Sequence, residues 1–190
     1  MSVYITGDTH GGFQRFGMKY FPEQKEMSRE DCVIITGDFG GLWGGTPAEK
    51  YWLDWLEDKP FTTAFLDGNH ENFAMLNALP KRWWHGGRAM FRVKGVSWWP
   101  EELPSDEEYK EAEKNLDAHG WVVDYILTHC APTSITQKIF PDAQADQLTD
   151  FLEEIKNRAK YHYWLFGHLH DNRAIDKKHV LLWEQVVQVI

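Results

Sequence analysis

Residues 161–171 read YHYWLFGHLHD, an apolar run that ends in a glycine and then presents two histidines two positions apart, His168 and His170. The run has the length and aromatic content of a strand, and the glycine marks where the chain leaves it. Taken alone, the two histidines are ordinary polar residues at a strand end. Four other runs stop in the same way. SVYIT (2–6) leads into GDTHGG, CVIIT (32–36) into GDFGG, FTTAFL (61–66) into DGNHE, and WVVDYILT (121–128) into HCAP. HVLLW (179–183) and QVVQVI (185–190) are further strand candidates.

Helical patterns fall between these runs. TPAEKYWLDWLED (46–58) offers Thr46 as N-cap, Pro47 at the first helical position and Glu49 to complete a capping box. Trp52, Trp55 and Leu56 then form its inward stripe. Ser105 and Glu108 make a second capping box at the head of an acidic helix. A third helix is expected over residues 144–160, with Leu148, Phe151, Leu152 and Ile155 on one face. Strands alternating with helices imply an α/β layer architecture. No repeat, low-complexity tract or linker interrupts the pattern, so residues 1–190 are expected to form one domain.

Composition narrows the partners. Hydrophobic residues make up 43% of the chain, with ten Trp and eleven Phe, enough for a packed core without disulfides. A net charge of −9 argues against binding polynucleotide or anionic membrane through non-specific electrostatics. It leaves a phosphate substrate open, because bound cations invert the field of an acidic site. No apolar run approaches the length of a membrane span. Cys32 and Cys130 sit in or beside apolar runs and are expected to be free thiols of a cytoplasmic protein.

In α/β folds, ligands collect at the carboxyl ends of strands. Here five such ends carry Asp8 and His10; Asp38; Asn69 and His70; His129; and His168 and His170. Carboxylate, amide oxygen and imidazole together suit Mn, Fe or Zn, and the lack of thiolates argues against a structural zinc cluster. One polar turn residue needs no explanation, but the same donor chemistry at five successive strand ends does.

The ordered blocks GDTHG, GDFGG, DGNHE, THCAP and GHLH resemble the signature of the calcineurin-like metallophosphoesterase superfamily, over residues 3–171. The resemblance implies two facing mixed β-sheets flanked by helices, an αββα sandwich with two metal ions at the strand ends. Carried over block by block, it gives Asp8, His10, Asp38 and His170 to one ion. Asp38, Asn69, His129 and His168 go to the other, with Asp38 bridging. His70 matches the catalytic histidine beside the ions. The implied reaction is hydrolysis of a phosphomonoester or phosphodiester, by attack of a hydroxide shared between the metals. The implied partner is a phosphoester substrate, most simply a small molecule.

Two departures matter. The protein-phosphatase branch carries an Asp and an Arg shortly after the second block, where this chain has Gly41 and Leu42. The phosphate-clamping guanidinium must then come from elsewhere, with Arg15 the first choice and Arg82 or Arg88 the others. GDFGGLWG and SWWPEELPSDEE look closer to small bacterial and phage-type members, and against these the segment around 80–97 is shortened, with one strand candidate, AMFRV (89–93). The rival readings are a small-molecule or nucleic-acid phosphodiesterase or nuclease, and a catalytically weak binding scaffold on the same fold.

Overall fold

A computed structural model describes residues 1–76, 82–84, 87–89 and 103–190. In chain order the strands are β1 (Val3–Thr6), β2 (Cys32–Ile35), β3 (Thr62–Phe65), β4 (Arg82–Trp84), β5 (Gly87–Ala89), β6 (Tyr125–Thr128), β7 (Tyr163–Phe166), β8 (Arg173–Ala174), β9 (His179–Leu181) and β10 (Val186–Gln188). The α-helices are α1 (Pro47–Glu57), α2 (Phe73–Leu76), α3 (Asp106–Ala118), α4 (Thr133–Ile139) and α5 (Gln147–Arg158).

Two four-stranded mixed sheets carry the architecture. The first has the order β10-β1-β2-β3, with β1, β2 and β3 parallel and β10 antiparallel to β1. The second has the order β6-β7-β9-β8, with β6, β7 and β9 parallel and β8 antiparallel to β9. Strands β4 and β5 form a separate antiparallel pair. The strand candidate at 89–93 lies outside the described residues except for Ala89, which ends β5. The side chains of Arg82 and Arg88, and the whole of the Trp pair at 98–99, also lie outside them.

The period-2 rule explains the layering. Ile5, Leu165 and Leu182 are buried together with Ile34, Leu127 and Val180 packed against them, which places this cluster between the two sheets. The neighbours of Ile5 and Ile34 point the other way. Tyr4, Val33 and Ile35 pack with Phe13, Phe16, Phe21 and Leu56 against α1 and the 3-10 turns at Phe13–Phe16 and Pro22–Glu26. Likewise Trp164 and Phe166 turn away from Leu165 toward Ile135, Leu152 and Ile155 of α4 and α5. The result is the four-layer αββα sandwich that the sequence implies.

The helix ends differ in detail from the sequence reading. Ser105 and Glu108 form the full capping box of α3. At α1, Thr46 Oγ1 accepts from Glu49 N at 3.2 Å, but the Glu49 carboxylate does not return to Thr46 N. It accepts instead from the backbone N–H groups of Trp43, Gly44 and Gly45, closing the glycine-rich loop before the helix. α4 follows Pro132 without a side-chain cap. It is fastened from outside, by Ser134 N on Glu153 Oε2 (3.0 Å) and Thr133 Oγ1 on Asp150 Oδ1 (2.8 Å), both acceptors on α5.

In the outer core of the second sheet, Trp164 and Phe166 are both fully buried. Phe166→Ala should therefore cost about 3–5 kcal/mol of unfolding free energy, measured by urea titration of the chelator-treated chain.

Candidate metal centre

Strands β1, β2 and β3 of one sheet and β6 and β7 of the other end at a common edge. Their outgoing turns carry all eight residues singled out from the sequence. Asp8 and Asp38 are each 1% exposed at the ends of β1 and β2. Asp8 accepts the backbone N–H of His168 on both oxygens, at 3.0 Å each. Asp38 Oδ1 accepts the N–H of His70 at 2.7 Å. Each carboxylate is thus held by the turn of another strand. Among the described residues, the only cationic-type groups within ion-pair distance of either are histidines.

On one side, the ligand atoms of Asp8, His10, Asp38 and His170 all lie within 4.8 Å of one another. His170 Nε2 is 3.1 Å from Asp8 Oδ2 and 2.9 Å from His10 Nε2, and His10 Nε2 is 3.6 Å from Asp38 Oδ2. On the other side, His129 Nε2 lies 2.9 Å from Asn69 Oδ1, 3.2 Å from His168 Nδ1 and 3.5 Å from Asp38 Oδ1. Asp38 belongs to both groups. His70 stands outside them, exposed, with its ring 5.6 Å from that of His10.

The local backbone is bent to achieve this. His10, Asp38, His168 and His170 all have positive φ, between 45° and 69°, the left-handed region that L side chains rarely occupy. Four such residues in one cluster mark a site where strain is imposed by the surroundings. Two glycines let the turns close. A Cβ on Gly37 (φ 105°) would sit 2.1 Å from His129 Nδ1, and one on Gly167 would sit 2.1 Å from Asp8 Oδ1.

The protonation chemistry fits a metal. Burial is the main cause that lowers the pKa values of His10, His129 and His168, so these rings are neutral near neutral pH and keep a free lone pair. For His129 the tautomer follows from geometry: Nδ1 lies 2.9 Å from the Thr36 carbonyl, which can only accept, so Nδ1 carries the proton. Its Nε2 then faces Asn69 Oδ1 and Asp38 Oδ1 lone pair to lone pair, an arrangement that a cation between them resolves. Burial, and then the nearby Asp38 charge, hold the Asp8 carboxyl above its ordinary value despite the His168 N–H. Two buried carboxylates facing neutral imidazoles form a donor set for hard or borderline cations.

Four neighbours of the site were not apparent from the sequence as supports. Glu71 is buried and its Oε1 accepts from Phe39 N at 2.6 Å, fixing the loop after Asp38. Trp183 stacks on the His170 ring, and Asn172 Oδ1 accepts from Trp183 N. Arg15 points inward: Nη2 donates to the Asp8 carbonyl at 2.8 Å, and Nη1 donates to Thr6 Oγ1 and the carbonyls of Gly7 and Trp183. The Cys130 thiol beside His129 is pushed up to about 12 by burial, which removes it as a nucleophile near neutral pH.

Comparisons with known proteins speak to the family and the fold. A family model described as calcineurin-like phosphoesterase matches residues 1–172. A solved structure of phosphopantetheinyl hydrolase from Mycobacterium tuberculosis resembles the chain with a TM-score of 0.51 and 15% identity, covering 100% of this chain and 95% of that one. At that identity the likeness speaks for the fold. No curated protein matches the chain.

Glu71 yields a pH test. Burial pushes its carboxyl from an ordinary 4.5 up to about 8. Across that window the folded state keeps a proton that the unfolded state has lost, so this residue makes stability fall as pH rises. Glu71→Gln keeps an acceptor for Phe39 N and removes that fall. In chelator-treated protein, urea titrations at about pH 5 and about pH 8 should show the balance shifting toward the variant at the higher pH. An unchanged difference would contradict the assignment.

Proposed function

The chain belongs to the calcineurin-like phosphoesterase family, and on that premise we propose that it hydrolyses a small-molecule phosphoester at the strand-end cluster around Asp38. Its membership makes it a metal-dependent phosphoester hydrolase. The observation that carries the site assignment is the pairing of two almost fully buried carboxylates, Asp8 and Asp38, with neutral imidazoles whose lone pairs converge on them.

Asp8, His10, Asp38 and His170 would hold one ion, and Asp38, Asn69, His129 and His168 the other. Mn, Fe and Zn all suit these donors. Such ions, when bound, act as Lewis acids toward phosphoryl oxygens and lower the pKa of water. The chain supplies the rest. Asp38 is fixed by the His70 N–H, so the carboxylate that both ions would share and the proposed catalytic histidine are set by one bond. Asn69 contributes a neutral oxygen, which limits the negative charge that a phosphate must approach. The His70 ring, exposed beside His10, delivers a proton to the leaving oxygen or stabilises the transition state.

The leaving group and the choice between monoester and diester are specificity matters outside this cluster. A formal charge of −9 favours small substrates over polynucleotides. No helix among the described residues is long and apolar enough to cross a membrane. The free thiols Cys32 and Cys130 support a cytoplasmic location.

Turnover of aryl phosphomonoester and diester should be abolished by chelation and restored by Mn, Zn or Fe, and the ratio of the two rates assigns the ester class. His70→Ala should lower kcat by about 10²–10⁴-fold with metal content unchanged. Loss of both metals in that variant would refute its role as a non-ligand.

A further inference from the structure

Most metal-ligating histidines are aimed by a hydrogen bond from the ring nitrogen that does not face the metal. His129 follows that rule through Nδ1 and the Thr36 carbonyl. His170 does not: its Nε2 faces Asp8 and His10, and among the described residues its Nδ1 has no hydrogen-bond partner. Its side chain is 46% exposed and its backbone is in the left-handed region, so neither burial nor local geometry fixes the ring. The His10 ring meets it edge-on with centroids 4.9 Å apart, and its flat face is covered by Trp183, whose ring lies nearly parallel at 14° with centroids 5.5 Å apart.

Trp183 is itself held on both sides. Its carbonyl accepts from Gly7 N at 3.0 Å, from Thr6 Oγ1 at 3.2 Å and from Arg15 Nη1, and its N–H donates to Asn172 Oδ1 at 2.9 Å. The same Arg15 guanidinium reaches the Asp8 carbonyl through Nη2. One planar cation therefore spans the exit of β1, which carries Asp8, and the segment after β9, which carries Trp183. Five N–H donors in a rigid fork make this possible for Arg and not for Lys.

We infer that Arg15 and Trp183 are a pair of positioning residues for one half of the metal centre, the half formed by Asp8, His10 and His170. Arg15 sets the distance between the Asp8 turn and Trp183, and Trp183 sets the plane of the His170 ring. Both guanidinium Nη groups of Arg15 are engaged by Thr6 Oγ1 and backbone carbonyls, so the inference gives Arg15 to the frame in place of the phosphate clamp expected from the sequence. The half formed by Asn69, His129 and His168 has its own fastening through Thr36 and does not depend on the pair. The inference rests on the ligand division proposed above.

The test reads metal binding, independent of turnover. Mn is titrated into the chelator-treated full chain by calorimetry, for the wild type and for Trp183→Ala, Trp183→Phe, Arg15→Ala, Arg15→Lys and the double alanine variant. Urea titrations of the metal-free proteins accompany them. The wild type should bind two ions. Trp183→Ala should weaken one of them by about tenfold to a hundredfold and leave the other unchanged. Trp183→Phe retains a flat ring and should restore most of that loss. Arg15→Ala and Arg15→Lys should weaken the same single site, and the double variant should lose no more than the worse single one.

Equal weakening of both sites, in step with lost stability, would show a general structural role and overturn the inference. So would unaltered Mn binding in Trp183→Ala. If Arg15→Ala binds both ions normally and instead raises KM for an aryl phosphate, Arg15 is a substrate contact and its positioning role is wrong. A wild type that binds two ions, shows the one-site losses, yet hydrolyses no phosphoester would sink the proposed function while this inference stood. A wild type that binds no Mn would overturn both.

Discussion

Two carboxylates of like charge, Asp8 and Asp38, are buried side by side at the ends of adjacent parallel strands, and the organisation of the site follows from that constraint. Burial disfavours the charged form of Asp8, and the Asp38 charge beside it adds to that cost. Backbone donors supply part of the compensation, with His168 N on Asp8 and His70 N on Asp38. These two donors come from β7 and β3, strands that do not adjoin the carboxylates in sequence. The His168 bond crosses from the second sheet to the first, so satisfying Asp8 draws the two sheets to one shared edge. Among the described residues no Lys or Arg pairs with either acid, and imidazoles take that position.

Such convergence strains the turns, and the sandwich is what holds them. Left-handed backbone at His10, Asp38, His168 and His170 persists because the strands feeding those turns are locked on both faces. Ile5 and Leu165 are fixed between the sheets, while Val33, Ile35, Trp164 and Phe166 are fixed against the outer layers. The Trp164 indole N–H donates to Thr128 Oγ1 at 2.8 Å, tying β7 to β6 one residue before His129. Packing energy spread over the layers thus becomes geometric precision at one edge, as a preformed metal site requires.

Much of this was legible in the sequence because it is local. Each candidate donor sits within a few residues of an apolar run, so strand, turn and candidate donor can be read together at all five ends. What escaped reading was carried by contacts between distant residues. α4 follows Pro132 with no side-chain cap and includes the β-branched Thr133, Ile135 and Thr136, and its fastening comes from Asp150 and Glu153 on another helix. The Glu49 carboxylate serves the loop at 43–45 in place of its expected capping partner, because three adjacent N–H groups compete for it. Arg15 and Trp183 are 168 positions apart, and no spacing rule links them. Trp183 looks like the last residue of an apolar run until the fold brings it over His170.

The central claim is that Asp38 is shared by two ions held in two different half-sites. A crystal of the Mn-loaded chain, with anomalous scattering recorded near the Mn edge, tests it most directly. The account predicts two anomalous peaks flanking the Asp38 carboxylate, one beside Asp8, His10 and His170 and the other beside Asn69, His129 and His168. A single peak, or peaks that leave Asp38 uncoordinated, would contradict it.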